Sequence, residues 1–256
     1  MNFMRSATLL LLILLLAPGQ PILSQTTNNS EPAAEDGTED TTEDAAEEKQ
    51  AEQERSLEEQ RRLTIQFGID SQLLELITQL KEEQNENYFE PLEELFTQTS
   101  NTAIQTAIAD FFASQENDEL VDEAFEQLAE YDNLDTKIVL QLIRYIDEYQ
   151  NDSITQLFFE MIEDPRVEVA SAAIHAIGIS EKKDYAEQLL DMYNDREFRD
   201  ELKPALISAL GELGDRAAFE LLDKIVSDED ESKSLRWRAC QALGKIGGED
   251  AISLIP

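Results

Sequence analysis

The residue types that carry chemistry in this chain are either single or too numerous to single out. One histidine, His175, and one cysteine, Cys240, stand among 56 aspartates and glutamates and 20 lysines and arginines. A metal centre needs several nitrogen or sulfur ligands at fixed spacing, and His175 has no second histidine with which to build one. Nucleophilic catalysis needs a base within hydrogen-bond reach, and nothing places His175 beside a serine or a thiol. Carboxylates are so frequent that pairs at helical spacing arise by chance, so none marks a general acid and base. The run Asp228-Glu229-Asp230-Glu231 lacks the alternating ligands and glycine of a calcium loop. It reads as a solvated loop whose charge favours the start of the next helix. No glycine-rich phosphate loop follows a strand, because no strand is read anywhere. Nothing here calls for a catalytic residue, a cofactor or a metal, which leaves binding.

Charge narrows what could be bound. The formal charge is −36, and nucleic-acid binding rests on lysine and arginine neutralising phosphates, so nucleic acid is excluded and anionic membrane surfaces are disfavoured. The N-terminus has one positive charge, Arg5, then an apolar run over residues 9–16 that stops at Ala17-Pro18-Gly19. That is the layout of a secretory signal peptide, too short for the roughly 20 apolar residues of a membrane span. The chain is expected to be exported to the periplasm or secreted, with residues 1–24 removed and no stable membrane insertion afterwards. A single cysteine cannot form an internal disulfide, so stability must come from apolar packing. Cys240 occupies the slot held by Ile207 and Ile174 in earlier repeats and reads as a small buried hydrophobe.

Residues 25–62 are rich in Glu, Asp, Thr, Ala and Gln with few large apolar side chains. The part up to about residue 44 is expected to be disordered, and residues 45–66 to form a frayed helix ended by Gly68 in a left-handed cap. Beyond it, Asp70 and Ser71 offer N-cap oxygens to a helix carrying Leu73, Leu74, Ile77 and Leu80. From there on, apolar stripes at helical spacing alternate with polar turns. Ala209-Leu210-Gly211-Glu212-Leu213-Gly214 recurs as Ala242-Leu243-Gly244-Lys245-Ile246-Gly247, 33 residues later. A period of that length marks an array of helical hairpins. The reading is an all-α solenoid over residues 63–256, in about six units near 71–98, 99–132, 133–164, 165–195, 196–228 and 229–256. The last is incomplete: ending on Leu254, Ile255 and Pro256 leaves apolar residues unpartnered, so the array is expected to continue or to be covered by a partner.

The stretch from Leu235 to Ala251, with Arg236, Ala239, Ala242, Leu243, Gly244, Ile246 and Gly247, resembles the HEAT-like repeat of bacterial proteins, the type also found in phycobilisome lyases. Residues 202–218 resemble it almost as well and 169–185 more loosely; earlier units keep the apolar spacing and lose the glycines. In such repeats Ala176, Ala209 and Ala242 would let paired helices approach, Ile177, Leu210 and Leu243 would fill the space between layers, and Gly214 and Gly247 would allow a left-handed turn. The resemblance also implies that Lys203 and Arg236 pair with neighbouring acids to tie successive units together.

In that family the motif helix lines the inner, concave face. The position two before the repeated Leu or Ile then reads Arg144, His175, Ser208 and Gln241 across four units, with Arg238 one turn earlier and Lys245 one turn later in the last. This strip, mixed in charge and growing basic towards the C-terminus, is the expected partner-binding surface. The function implied is a non-catalytic protein-binding scaffold of the cell envelope or periplasm. The alternatives are an enzyme or chaperone of the phycobilin-lyase type, or a structural spacer. Trp237 is expected in a partly exposed slot of the last unit.

Overall fold

The computed structural model describes residues 40–180 and 182–247, with side chains from residue 47 onward. The signal-peptide reading, the start of the acidic tract and the end of the last unit therefore lie outside the described residues. The chain divides into two compact units, residues 1–50 and 51–256. Of the first, the described part is the opening of helix α1 (Asp40–Phe67), which begins within the stretch read as disordered. The rest of α1 and everything after it belong to the second unit.

The second unit is an all-α solenoid. After α1 come α2 (Asp70–Glu83), α3 (Phe89–Gln98), α4 (Thr102–Ser114), α5 (Val121–Leu128), α6 (Thr136–Ile146) and α7 (Asp152–Met161). Then follow α8 (Val167–Ile179), α9 (Tyr185–Asn194), α10 (Lys203–Leu213), α11 (Phe219–Ser227) and α12 (Lys233–Ile246), with no strand among the described residues. The polar residues between stripes start the helices: the side chains of Asn101, Asp135, Asn151 and Ser232 each accept from a backbone N–H of the first turn, which satisfies donors that have no partner inside the helix. At α2 the cap differs from the expectation. Its N-cap is Ile69, whose N–H donates to the Gln72 side chain at 3.1 Å, while Asp70 accepts from the Asn101 side chain at 2.7 Å.

The helices form two layers. α2, α4, α6, α8, α10 and α12 stack in order as one row, and α3, α5, α7, α9 and α11 each pack against the row helix that follows. Near its start the row is spaced by rings: Phe112 of α4 lies 6.4 Å from Tyr145 of α6, centroid to centroid, with Phe89 of α3 packed behind Phe112 at 5.0 Å. Towards its end it is spaced by almost nothing. A Cβ added to Gly178 would stand 2.7 Å from the Cα of Ala209, and one added to Gly211 would stand 2.6 Å from the Cα of Ala242. The small residues thus serve the approach of successive row helices, rather than of the two helices within a hairpin. Aromatic filling at one end and glycine–alanine seams at the other explain why the early units lose the glycines and keep the spacing.

Turn chemistry follows the same division. Gly214 ends α10 in the left-handed region at φ 65°, ψ 23°, and Gly247 also has positive φ, 73°, with an extended ψ of 150°. In the early units the same demand falls on side-chain residues: Gln84 after α2 and Glu116 after α4 both sit at φ 52°. Gly68 is not in the left-handed region; its N–H simply closes α1 on the carbonyl of Thr64 at 2.8 Å.

The ladder expected at Lys203 and Arg236 is also corrected. Lys203 pairs with Asp200 of its own unit at 2.6 Å, and Arg236 donates through Nε to the carbonyl of Val226, the end of α11, at 3.0 Å. Besides Arg236, the units are tied by arginines in the connections before α8 and α10. Arg166 holds Asp164, whose side chain is 1% exposed, at 2.6 Å, and donates back to the carbonyls of Leu134 and Tyr131 at 2.9 and 3.1 Å. Arg199, 33 residues on, donates to the carbonyl of Asp164 at 2.7 Å. A guanidinium has five donors and no acceptor, so one side chain can serve a carboxylate and a carbonyl of the previous unit together.

Candidate functional site

Arg144, His175, Ser208 and Gln241 fall on α6, α8, α10 and α12, four successive helices of the row. Each stands two residues before a buried Ile146, Ile177, Leu210 or Leu243, and at 3.6 residues per turn that offset turns the side chain well away from the buried one. Arg144, His175 and Gln241 are exposed and Ser208 half-buried.

The two ends of the strip differ in what is already occupied. Lys245 is ion-paired with Glu212, and Arg238 donates to the Ser208 hydroxyl at 3.4 Å. The basic character read at the C-terminal end is thus partly neutralised within the solenoid. Arg144 and His175 have no hydrogen bond or ion pair among the described residues, and both line a cleft of about 580 Å³. The cleft is walled by α2, α4, α6 and α8, the turn after α6 included. Leu140, Ile143, Ala172 and Ile179 give it an apolar side, and Asp147, Glu148 and Tyr149 a polar one. The ion pair of Lys81 with Asp110 closes it from α2 and α4.

α6 stops at Ile146 and continues as a 3-10 turn, Asp147–Tyr149. That turn folds the Asp147 side chain against the solenoid. Burial pushes its carboxyl up to about 6; Glu148 adds to the rise and the Arg144 guanidinium opposes it. Burial raises the Tyr145 phenol too, and its hydroxyl donates to the carbonyl of Asn117 at 2.8 Å, which keeps the ring fixed as the floor behind the turn.

Sequence reasoning missed Lys81, Asp110, Asp147 and Tyr149. Asp110 could have been found, because it precedes the buried Phe112 by two as Arg144 precedes Ile146. The other three depend on where α2 and α6 end, and no glycine marks those ends. Cys240 is half-buried, unlike Ile174 and Ile207 in the same slot, which are fully buried, and Trp237 is 64% exposed. No group of histidine, cysteine, aspartate and glutamate able to hold a metal ion occurs among the described residues.

A two-layer stack of helical hairpins with a continuous polar strip along one layer defines a helical-repeat scaffold of the HEAT type. Comparison with known families agrees with that class and sharpens it. The chain belongs to the family described as Spirochaete HEAT repeat protein, which it matches over residues 65–256. It is also similar to Protein YibA of Escherichia coli (strain K12), with 33% identity over 88 residues, and at the same identity and length to Protein YibA of Escherichia coli O157:H7. Each match covers 34% of this chain and 30% of the relative, so the chain spans under a third of the length of these relatives.

Proposed function

We propose that this chain is a non-catalytic scaffold of the cell envelope that holds a segment of a partner protein along the exposed strip of the α6–α12 row. The observation that carries this reading is the unpaired state of Arg144 and His175 on adjacent row helices over a cleft. Arginine at such a position is a preferred interface anchor, and a repeat array presents an extended surface on which a segment can lie. The leader-like apolar run before Pro18 and Gly19 supports export to the periplasm or beyond, with the mature chain beginning between about residues 18 and 26. No described helix is long and apolar enough to cross a membrane, and a charge of −36 disfavours nucleic acid.

A photo-crosslinking side chain at position 175 or 208, expressed in the native host, should capture one protein in common, and the same side chain at Glu160 on α7 should not. Arg144→Glu with Arg238→Glu should abolish that capture without changing helicity. Capture that survives this pair, but is lost on charge reversal within residues 25–62, would move the binding site to the acidic tract. N-terminal sequencing of the protein from its host tests export, and an intact Met1 chain in the cytosol would overturn it.

A further inference from the structure

The cleft beneath Arg144 and His175 holds a charge imbalance that says what it accepts. From α2 and α4 it receives Lys81 and Asp110, which neutralise each other. From α6 and its turn it receives Arg144, Asp147 and Glu148, and from α8 the His175 imidazole. With the paired residues set aside, two carboxylates face one guanidinium. We propose that this cleft recognises a single lysine or arginine side chain on an extended segment of the partner, with Asp147 and Glu148 as its counter-charges. The proposal rests on the strip being the binding face and adds the chemistry of what binds there.

Further observations favour a cation. The Asp147 carboxylate is half-buried and receives no hydrogen bond from the described residues, and a buried carboxylate without a partner costs free energy until a cation or donor reaches it. The apolar side formed by Leu140, Ile143, Ala172 and Ile179 suits the methylene stem of a long basic side chain, which packs on apolar surface while its head reaches a charge; the Tyr149 ring on the other side can face that head. About 580 Å³ lies within the roughly 300–1,000 Å³ of small-ligand sites. The chain's strong negative charge also draws basic segments towards it. An acidic segment would bring a third unpaired carboxylate into the same space, whereas Arg144, with donors free, can hold the backbone carbonyls of a basic one.

Acidification acts in one direction. As pH falls through about 6, Asp147 takes up a proton, and the cleft loses one of its two counter-charges. Glu148 lies beside it on the turn, Arg144 on the last turn of α6, His175 on α8, and the Lys81–Asp110 ion pair closes the cleft from α2 and α4. Affinity for a cation should therefore be highest above neutrality and fall on acidification.

The test uses the full chain, isotope-labelled for NMR, and three capped pentapeptides, Ac-Ala-Leu-X-Leu-Ala-NH2 with X as lysine, norleucine or glutamate. The lysine peptide should shift amides within residues 140–149 and 172–179 and bind about tenfold more weakly to the Asp147→Asn, Glu148→Gln variant, the scale of one charge-assisted contact. Glu160→Gln with Glu163→Gln, on α7 and just after it, should leave its binding unchanged. Wild-type affinity should drop by a similar factor between about pH 7.5 and pH 5, a readout that needs no variant to fold. Equal losses in the two carboxylate variants would mean bulk attraction to an acidic protein and would overturn the proposal. So would the absence of any shift at ~10 mM lysine peptide. If the glutamate peptide alone shifts the cleft, the charge assignment is wrong while the strip stands as the binding face.

Discussion

Gly211→Ala and Gly244→Ala should change stability in opposite directions, although the two glycines occupy the same position of consecutive repeats. Both lie in the last turn of a row helix, where replacing glycine by alanine gains up to about 1 kcal/mol of helix propensity. At Gly211 the added methyl would stand 2.6 Å from the Cα and 2.7 Å from the Cβ of Ala242. Ordinary carbon–carbon contact is about 3.5–4.0 Å, so α12 must move away from α10 by roughly 1 Å, because a backbone atom cannot rotate aside. Overpacking of this kind costs about 1–3 kcal/mol, and the widened gap forfeits dispersion along the seam. The net expectation is a loss of about 2 kcal/mol. At Gly244 nothing beyond the chain neighbours and the backbone of α12 itself lies within 4 Å of the added methyl among the described residues, so only the propensity gain of about 0.5–1 kcal/mol is left. For a folded unit of this size the loss corresponds to a fall in Tm of about 4–8 °C. Thermal and urea unfolding followed by circular dichroism measure both variants, and hydrogen exchange in α12 locates the effect. If both substitutions stabilise, or both cost the same, the glycine–alanine seam is not what sets the spacing of the row.

Gln84→Gly and Glu116→Gly, which relieve positive φ in the glycine-poor units, should each stabilise by about 0.5–1 kcal/mol, whereas Gly214→Ala should cost about 1 kcal/mol; urea midpoints decide. Arg166→Met should cost about 3–5 kcal/mol, because it leaves the Asp164 carboxylate buried without its partner. The Arg166 hydrogen bond holds the Asp164 pKa below 3.8, so its contribution is complete above that pH and disappears as pH falls through the depressed value. Wild type and variant should converge in stability in strong acid. Asp147 has the opposite sign: its pKa is raised from 3.8 to about 6, so its ionisation costs stability as pH rises across that window. Asp147→Asn should therefore raise the unfolding midpoint at pH 7 and leave it unchanged near pH 3; a destabilised variant at pH 7 would mean that the carboxylate makes a contact that matters in the free protein.

The sequence alone determined the repeat, the all-helical class and the strip, because the period of 33 residues and the apolar spacing are local facts that any stacked helical hairpin must obey. Arg144, His175, Ser208 and Gln241 could be aligned since each stands at a constant offset from a buried aliphatic residue. Sequence could not decide which cations in the strip are free. Lys245 and Arg238 look as available as Arg144 until the 33-residue stacking brings Glu212 beside Lys245 and Ser208 beside Arg238. Nor could it tell that Lys203 would turn to Asp200 while Arg166 and Arg199 reach back to the previous unit, for a long side chain chooses among partners that only packing places within reach. The role of the glycines was likewise a tertiary matter: Gly178 and Gly211 matter for the distance between one row helix and the next. The cleft itself exists because α6 ends at Ile146 and a single 3-10 turn folds Asp147 inward into the same cleft as Arg144, and burial in that place is what raises an otherwise ordinary carboxylate.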